Sequence, residues 1–101
     1  MVKHIIIWTL KETKTEQEKE QIKAGIKEGL EQLAGKIPGL LEIHVTTQGL
    51  KSSNTDLMLD STFRDEASLN GYTVHPEHME VALNKVRPYV AVRACFDYEI
   101  R

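Results

Sequence analysis

The sequence has one cysteine, three prolines and no long apolar run. Because Cys95 is alone, a disulfide framework within the chain is excluded, and the composition fits a reducing compartment. No segment approaches the roughly 20 apolar residues of a membrane-spanning helix. The apolar run near the N-terminus is too short for the core of a signal peptide. We therefore expect a cytoplasmic protein that does not act at a membrane.

An excess of charge of either sign is also missing. The formal net charge is -2 over 101 residues, so the chain lacks the basic patch that nucleic-acid binding requires. Charged residues make up 28% of the chain and hydrophobic residues 41%, which is typical of a globular protein. The length predicts a single domain spanning residues 1–101.

What the sequence does contain is clear hydrophobic periodicity. A β-branched and aromatic-rich strand comes first, followed by a helix with a capping box at Thr15 and Glu18. The predicted elements are strands over 2–10, 41–46, 57–63 and 90–100, a helix opened at Thr15, a helical turn over 65–71 and a helix over 76–86. Their order is β-α-β-β-α-β, so we predict an α+β, ferredoxin-like fold with an antiparallel sheet.

Alternation and helical spacing also predict which side chains point inward. The predicted inward residues are Ile22, Ile26, Leu30 and Leu33 in the first helix, Leu41, Ile43 and Val45 in the second strand, and Met79, Ala82, Leu83 and Val86 in the last helix. Gly25 and Gly29 would weaken the first helix by about 1 kcal/mol each, unless they allow close backbone contact.

The first strand is apolar on both faces, which predicts a homodimer. Two helices can cover only one face of a four-stranded sheet. A monomer would then expose more than the few hundred Å² of contiguous apolar surface that monomers usually carry. A second copy that presses its open sheet face against the first removes this surface.

Several short segments resemble one family. These are Val2-Lys3-His4-Ile5, Lys36-Ile37-Pro38-Gly39-Leu40, Ser61-Thr62-Phe63, Tyr72-x-x-His75-Pro76-x-His78 and Phe96-Asp97-Tyr98. Together they are similar to the stress-responsive A/B barrel (Dabb) family across essentially the whole chain. The resemblance implies a dimeric α/β barrel in which two ferredoxin-like units pack sheet to sheet.

The resemblance also implies a site. One plant member of the family is a polyketide cyclase that works without a cofactor, through a tyrosine and a histidine that match Tyr72 and His78. A further histidine of that cyclase matches His4. Where the cyclase has another pocket histidine, this chain has Leu57, and where it has helix aromatics, this chain has Ile22 and Ile26. The scaffold is therefore shared, whereas the features that shape a polyketide pocket are not.

The residues themselves support Tyr72 and His78 as candidate catalytic groups. Pro76 suits the first position of a helix, which places His78 in the first turn, where the helix dipole favours neutral imidazole. His78 would remove a proton next to a carbonyl, while Tyr72 would donate a hydrogen bond to the enolate. In the competing interpretation both side chains are structural and hydrogen-bond to nearby backbone.

We predict an apolar pocket between sheet and helices, lined by His4, Ile6, Trp8, Ile22, Ile26, Leu57, Leu59 and His75. His75 precedes a proline, so it is also a candidate cap for the following helix. No metal-ligand spacing is present, and we predict neither a metal nor a cofactor. Two functions remain open: binding of a small hydrophobic carbonyl compound, with lyase, cyclase or isomerase-type proton transfer, or a non-enzymatic stress or scaffold role with structural histidines.

Overall fold

The computed structural model describes residues 1–100. Its helices and strands are β1 (Val2–Leu10), α1 (Glu16–Glu31), β2 (Leu40–Thr46), β3 (Leu57–Phe63), α2 (Glu66–Val74), α3 (Pro76–Val81) and β4 (Val90–Glu99). A π-helical turn (Ala82–Val86) and a 3₁₀ turn (Arg87–Tyr89) join α3 to β4. No helix among the described residues has the length and apolar character needed to cross a membrane.

The four strands form one antiparallel sheet in the order β2-β3-β1-β4. The predicted ferredoxin-like α+β fold is thus confirmed. The hydrophobic core lies between one face of this sheet and the helices. On β1, alternate residues from Val2 to Leu10 are buried on that face, and the intervening residues are half-buried on the other.

Helix α1 begins as the sequence predicts. The Thr15 hydroxyl accepts a hydrogen bond from the Glu18 backbone N–H, and the Glu18 carboxylate accepts one from the Thr15 N–H. This reciprocal capping box satisfies backbone donors that the first turn would otherwise leave unpaired. Ile26, Leu30 and Leu33 are buried, and Ile22 packs against the core from its edge.

Strand β2 contains a residue that was predicted to point into the core and does not. Leu41 is 51% exposed, because a register shift between Leu40 and Glu42 turns Leu40 inward instead. Such a bulge reverses the alternation on one side of it.

The range 76–86 is helical as predicted, but its geometry changes from α to π at Ala82, and the inward position predicted for Leu83 is wrong. Its buried residues are Val81, Ala82 and Val86, whereas Leu83 is exposed and Met79 is half-buried. The five-residue step from Val81 to Val86 matches a π turn, which is wider than the α-helical repeat. Ala82 and Val86 are thus buried as predicted, whereas Val81 takes the inward place that was predicted for Leu83.

Helix α2 is longer than predicted and carries Tyr72. It runs to Val74 and ends at His75, whose extended backbone (φ -66, ψ 134) is typical of a residue before proline. Because Tyr72 belongs to the last turn of α2 and His78 to α3, the break at His75 sets the angle at which the two side chains meet.

Candidate functional site

A cavity of about 510 Å³ lies between the helix-covered face of the sheet and the helices. Its volume is in the range of small-molecule sites. Apolar side chains make up much of its wall, among them Ile6, Trp8, Leu30, Leu59, Ala82, Val86 and Val90. The polar side chains that line it are His4, Tyr72, Thr73, His78, Arg87 and Arg93.

Tyr72 is almost fully buried, and its hydroxyl has no hydrogen-bond partner among the described residues. An unpaired buried hydroxyl costs free energy, so such groups are rare unless a bound molecule satisfies them. Burial raises the pKa of the phenol well above its ordinary value of 10. Tyr72 therefore remains protonated and can donate a hydrogen bond.

His78 is half-buried, and its Nδ1 lies 3.3 Å from the backbone oxygen of Thr73. A carbonyl oxygen only accepts hydrogen bonds, so Nδ1 must carry the proton in this contact, and Nε2 keeps its lone pair. Burial lowers the pKa of His78 below its ordinary value of 6.5, against the hydrogen bond to Thr73, which raises it. The nearby charges of His4, Arg87 and Arg93 also lower this pKa. The imidazole is therefore neutral near pH 7.

The rings of Tyr72 and His78 lie side by side, with centroids 4.1 Å apart and planes inclined by 36°. A protonated phenol and a neutral imidazole thus border the same cavity. General acid–base catalysis at a carbonyl compound requires this combination: a base for the proton and a donor for the oxygen that gains negative charge.

His4 lines the same cavity from β1. Its Nδ1 is 2.5 Å from Oδ1 of Asp97, which lies directly opposite His4 in β4. The ring of His4 is 6.0 Å from that of Tyr72. The pairing of Asp97 with His4 was not predicted, because it depends on the register between the first and last strands.

Three potential metal ligands lie close together beside the cavity. One donor atom each from His4, Cys95 and Asp97 can be chosen so that all lie within 4.8 Å of one another. Histidine, cysteine and aspartate are zinc ligands, but the His4 and Asp97 atoms already hydrogen-bond to each other. A cation would have to replace that bond, so the absence of a resident metal stays a prediction.

The cavity includes some of the predicted pocket residues and leaves others outside. His4, Ile6, Trp8 and Leu59 line it together with Tyr72 and His78. The predicted residues that do not line it are Ile22, Ile26, Leu57 and His75. Ile26 and Leu57 are core residues, and Ile22 packs at the edge of the core.

His75 instead caps α3. Its Nδ1 accepts a hydrogen bond of 3.1 Å from the Glu77 backbone N–H. Capping was one of the two roles predicted for His75, and this hydrogen bond accounts for the side chain without a ligand. Arg87 and Arg93, by contrast, line the cavity and were not predicted. Their placement depends on the 3₁₀ turn and on the strand register, which local sequence patterns do not specify.

Comparisons with known proteins agree with this architecture. Residues 2–100 match the family model of the stress responsive A/B barrel domain (Dabb). A dimeric ferredoxin-like protein of unknown function from Bacteroides fragilis is 30% identical, with a TM-score of 0.90 over 98% of this chain and 95% of that one. No curated protein matches the sequence.

Two more distant structures share the fold. A Dabb family protein from Mesorhizobium loti is 21% identical, with a TM-score of 0.75 over 99% of this chain and 96% of that one. A hydroxynitrile lyase from Passiflora edulis is 20% identical, with a TM-score of 0.73 over 99% of this chain and 93% of that one. Since the family model covers nearly every residue, the chain belongs to the stress responsive A/B barrel domain family.

Proposed function

We propose that the cavity binds a small hydrophobic carbonyl compound and catalyses proton transfer on it without a cofactor. The observation that carries this proposal is the buried, unpartnered hydroxyl of Tyr72, a residue that lines the cavity beside His78. A carbonyl oxygen is an acceptor of the kind that this hydroxyl lacks. The apolar wall would hold the hydrocarbon part of the compound.

The chemical step follows from the two protonation states. Nε2 of His78 removes a proton from the carbon next to the carbonyl, and the electron pair of that C–H bond moves toward the carbonyl oxygen. The Tyr72 hydroxyl donates a hydrogen bond to the enolate oxygen as its charge develops. Return of the proton to another carbon gives an isomerase-type reaction, and expulsion of a leaving group from the β carbon gives a lyase-type reaction. Attack of the enolate on a second carbonyl of the same molecule, whose oxygen then takes the proton from His78, gives a cyclase-type reaction. The fold supports a lyase in Passiflora edulis, which is consistent with this reaction class but does not specify it.

We also infer that the protein is a homodimer that packs through the open face of its sheet. Val92, Phe96 and Tyr98 of β4 are 60%, 69% and 45% exposed on that face. Phe96 lies opposite Ile5 of β1, so their side chains form one apolar surface across both strands. The related structure from Bacteroides fragilis is described as dimeric. A second copy would cover this surface and leave the cavity on the outer, helix-covered side.

The alternative is a non-enzymatic stress or scaffold role. It is favoured by His75 and His4, because each has a partner within the chain: the Glu77 N–H for His75 and the Asp97 carboxylate for His4. Structural histidines of this kind need no substrate. Two buried hydroxyls among the described residues lack a partner, those of Thr62 and Tyr72, and Tyr72 is the one that lines the cavity and that this alternative leaves unexplained.

An exchange experiment separates the two functions. The protein is incubated with 2-octanone in D₂O, and loss of the protons next to the carbonyl is followed by NMR. We expect faster exchange than in buffer alone, lost in His78→Asn and reduced in Tyr72→Phe. His44→Asn is the matched control, because His44 is exposed outside the cavity, on the open face of the sheet, and sedimentation checks that this variant keeps the oligomeric state of wild type. Binding without exchange would contradict the catalytic half of the proposal, and neither binding nor exchange would leave the scaffold role.

A further inference from the structure

The charges that face the cavity are all of one sign. Its lining includes two basic residues, Arg87 and Arg93, both of which are also exposed to solvent, and contains no aspartate or glutamate. This is unusual for a chain whose acidic residues outnumber its basic ones, 15 to 13. A cavity lined by two cations with no facing anion favours a negatively charged occupant.

The two arginines reach the cavity from different elements. Arg93 lies opposite Trp8 in the register of β1 and β4, so both side chains are on the helix-covered face. Arg87 begins the 3₁₀ turn that leads into β4. Between them, the register shifts where Leu10 pairs with Val90, and the extra residue Ala91 also lines the cavity. A bulge of this kind redirects side chains at the end of a strand.

Neither guanidinium forms an ion pair with any residue in the 1–100 range that the structure describes. Several lysines in that range, such as Lys11 and Lys51, also lack an ion pair, so what sets the two arginines apart is that both line one cavity. Arginine matches a carboxylate particularly well, because its planar fork can donate two parallel hydrogen bonds.

We propose that the preferred ligand of this cavity is an aliphatic oxo acid whose carboxylate is bound by Arg87 and Arg93. This inference rests on the proposed function, since the carbonyl of the same molecule would accept the hydrogen bond from Tyr72. The hydrocarbon tail would lie against Ile6 and Trp8. The ligand thus supplies each feature of the cavity with a partner: an anion, an acceptor and an apolar chain.

The arrangement also has a consequence for the base. The charges of Arg87 and Arg93 contribute to the low pKa of His78. A bound carboxylate would neutralise part of that charge and raise the pKa of His78 toward its ordinary value, which strengthens the imidazole as a base. The acid group of the substrate would therefore assist removal of the neighbouring proton.

A matched pair of compounds tests the proposal. 2-Oxooctanoate and 2-octanone share the chain length and the carbonyl position, and they differ in a carboxylate against a methyl group. In titration calorimetry with the full chain we expect 2-oxooctanoate to bind at least about tenfold more tightly at low salt, an advantage that shrinks as salt screens the charges. Arg87→Gln and Arg93→Gln should each remove most of this advantage, measured for each variant as the ratio of its affinities for the two compounds.

Arg64→Gln is the control, since Arg64 is an exposed arginine paired with Asp65, outside this cavity. Circular dichroism melts confirm that each variant is folded. Equal affinity for the two compounds, or wild-type affinity for 2-oxooctanoate in both arginine variants, would overturn the oxo-acid proposal while leaving carbonyl binding intact. If neither compound binds, the proposed function fails as well, so the two failures are distinguishable.

Discussion

The ring of His78 lies against the ring of Tyr72 at a centroid distance of 4.1 Å, although the two residues belong to different helices. The break that brings them together is the extended residue His75, which ends α2 and caps α3. A continuous helix would place residues six positions apart on different faces. The proline that follows His75 is thus part of the site, because it enforces the break.

Removal of the Tyr72 hydroxyl should not destabilise the protein. The hydroxyl has no partner among the described residues, so Tyr72→Phe deletes an unsatisfied polar group while keeping the ring. We expect the free energy of unfolding to stay equal or rise by about 1 kcal/mol, since leaving such a group buried costs roughly that much. Urea denaturation measures this change. A loss above about 2 kcal/mol would mean that the hydroxyl is hydrogen-bonded in solution, for example to a buried water.

The burial of His78 should make stability depend on pH. Its pKa is lowered in the folded protein, so the unfolded chain binds a proton more readily. Stability that is fully present above the ordinary pKa of 6.5 is therefore lost as the pH falls from there through the folded-state pKa. Unfolding free energies of wild type and His78→Asn, measured from acidic pH to neutrality, should diverge in that window. Parallel curves would contradict the assignment of a buried neutral imidazole.

The two glycines within α1 should respond differently to alanine. A Cβ at Gly25 would meet no atom within 4 Å, so Gly25→Ala should stabilise the protein by about 0.5 to 1 kcal/mol through helix propensity. A Cβ at Gly29 would lie 2.9 Å from Cγ1 of the buried residue Val81. Since Val81 is β-branched and stiff, Gly29→Ala should instead cost about 1 to 3 kcal/mol. Thermal unfolding of the pair checks this, and equal effects would contradict the close packing of α1 on α3.

A charge on the open sheet face should dissociate the proposed dimer. Phe96→Glu places a carboxylate in the apolar surface that a second copy would cover, where an unpaired buried charge is costly. We expect a monomer by analytical ultracentrifugation at micromolar concentration, whereas wild type sediments as a dimer. Val74→Glu is the matched control, because Val74 is 72% exposed on α2, away from that face. A wild-type monomer, or a dimeric Phe96→Glu protein, would contradict the inferred interface.

Local periodicity was sufficient for much of the fold. The bounds of β1 and β3 follow from alternation, and the start of α1 follows from its capping box, because these signals act between residues close in sequence. Leu41 and Leu83 were wrongly predicted to be buried, because the regular repeat of the backbone is broken beside each of them. A bulge in β2 and a π turn after α3 each change the repeat, and neither has a local signature that periodicity can detect.

The candidate site also combines features that the sequence predicts with features that depend on the fold. The sequence by itself determined that Tyr72 and His78 flank a helix break at Pro76, since proline restricts both its own backbone and that of the residue before it. Only the tertiary structure decided what surrounds them. The hydrogen bond from His4 to Asp97, the burial of the Tyr72 hydroxyl and the entry of Arg93 into the cavity all join residues that are distant in sequence. Such contacts depend on strand register and helix packing, which are set by the whole core rather than by any one segment.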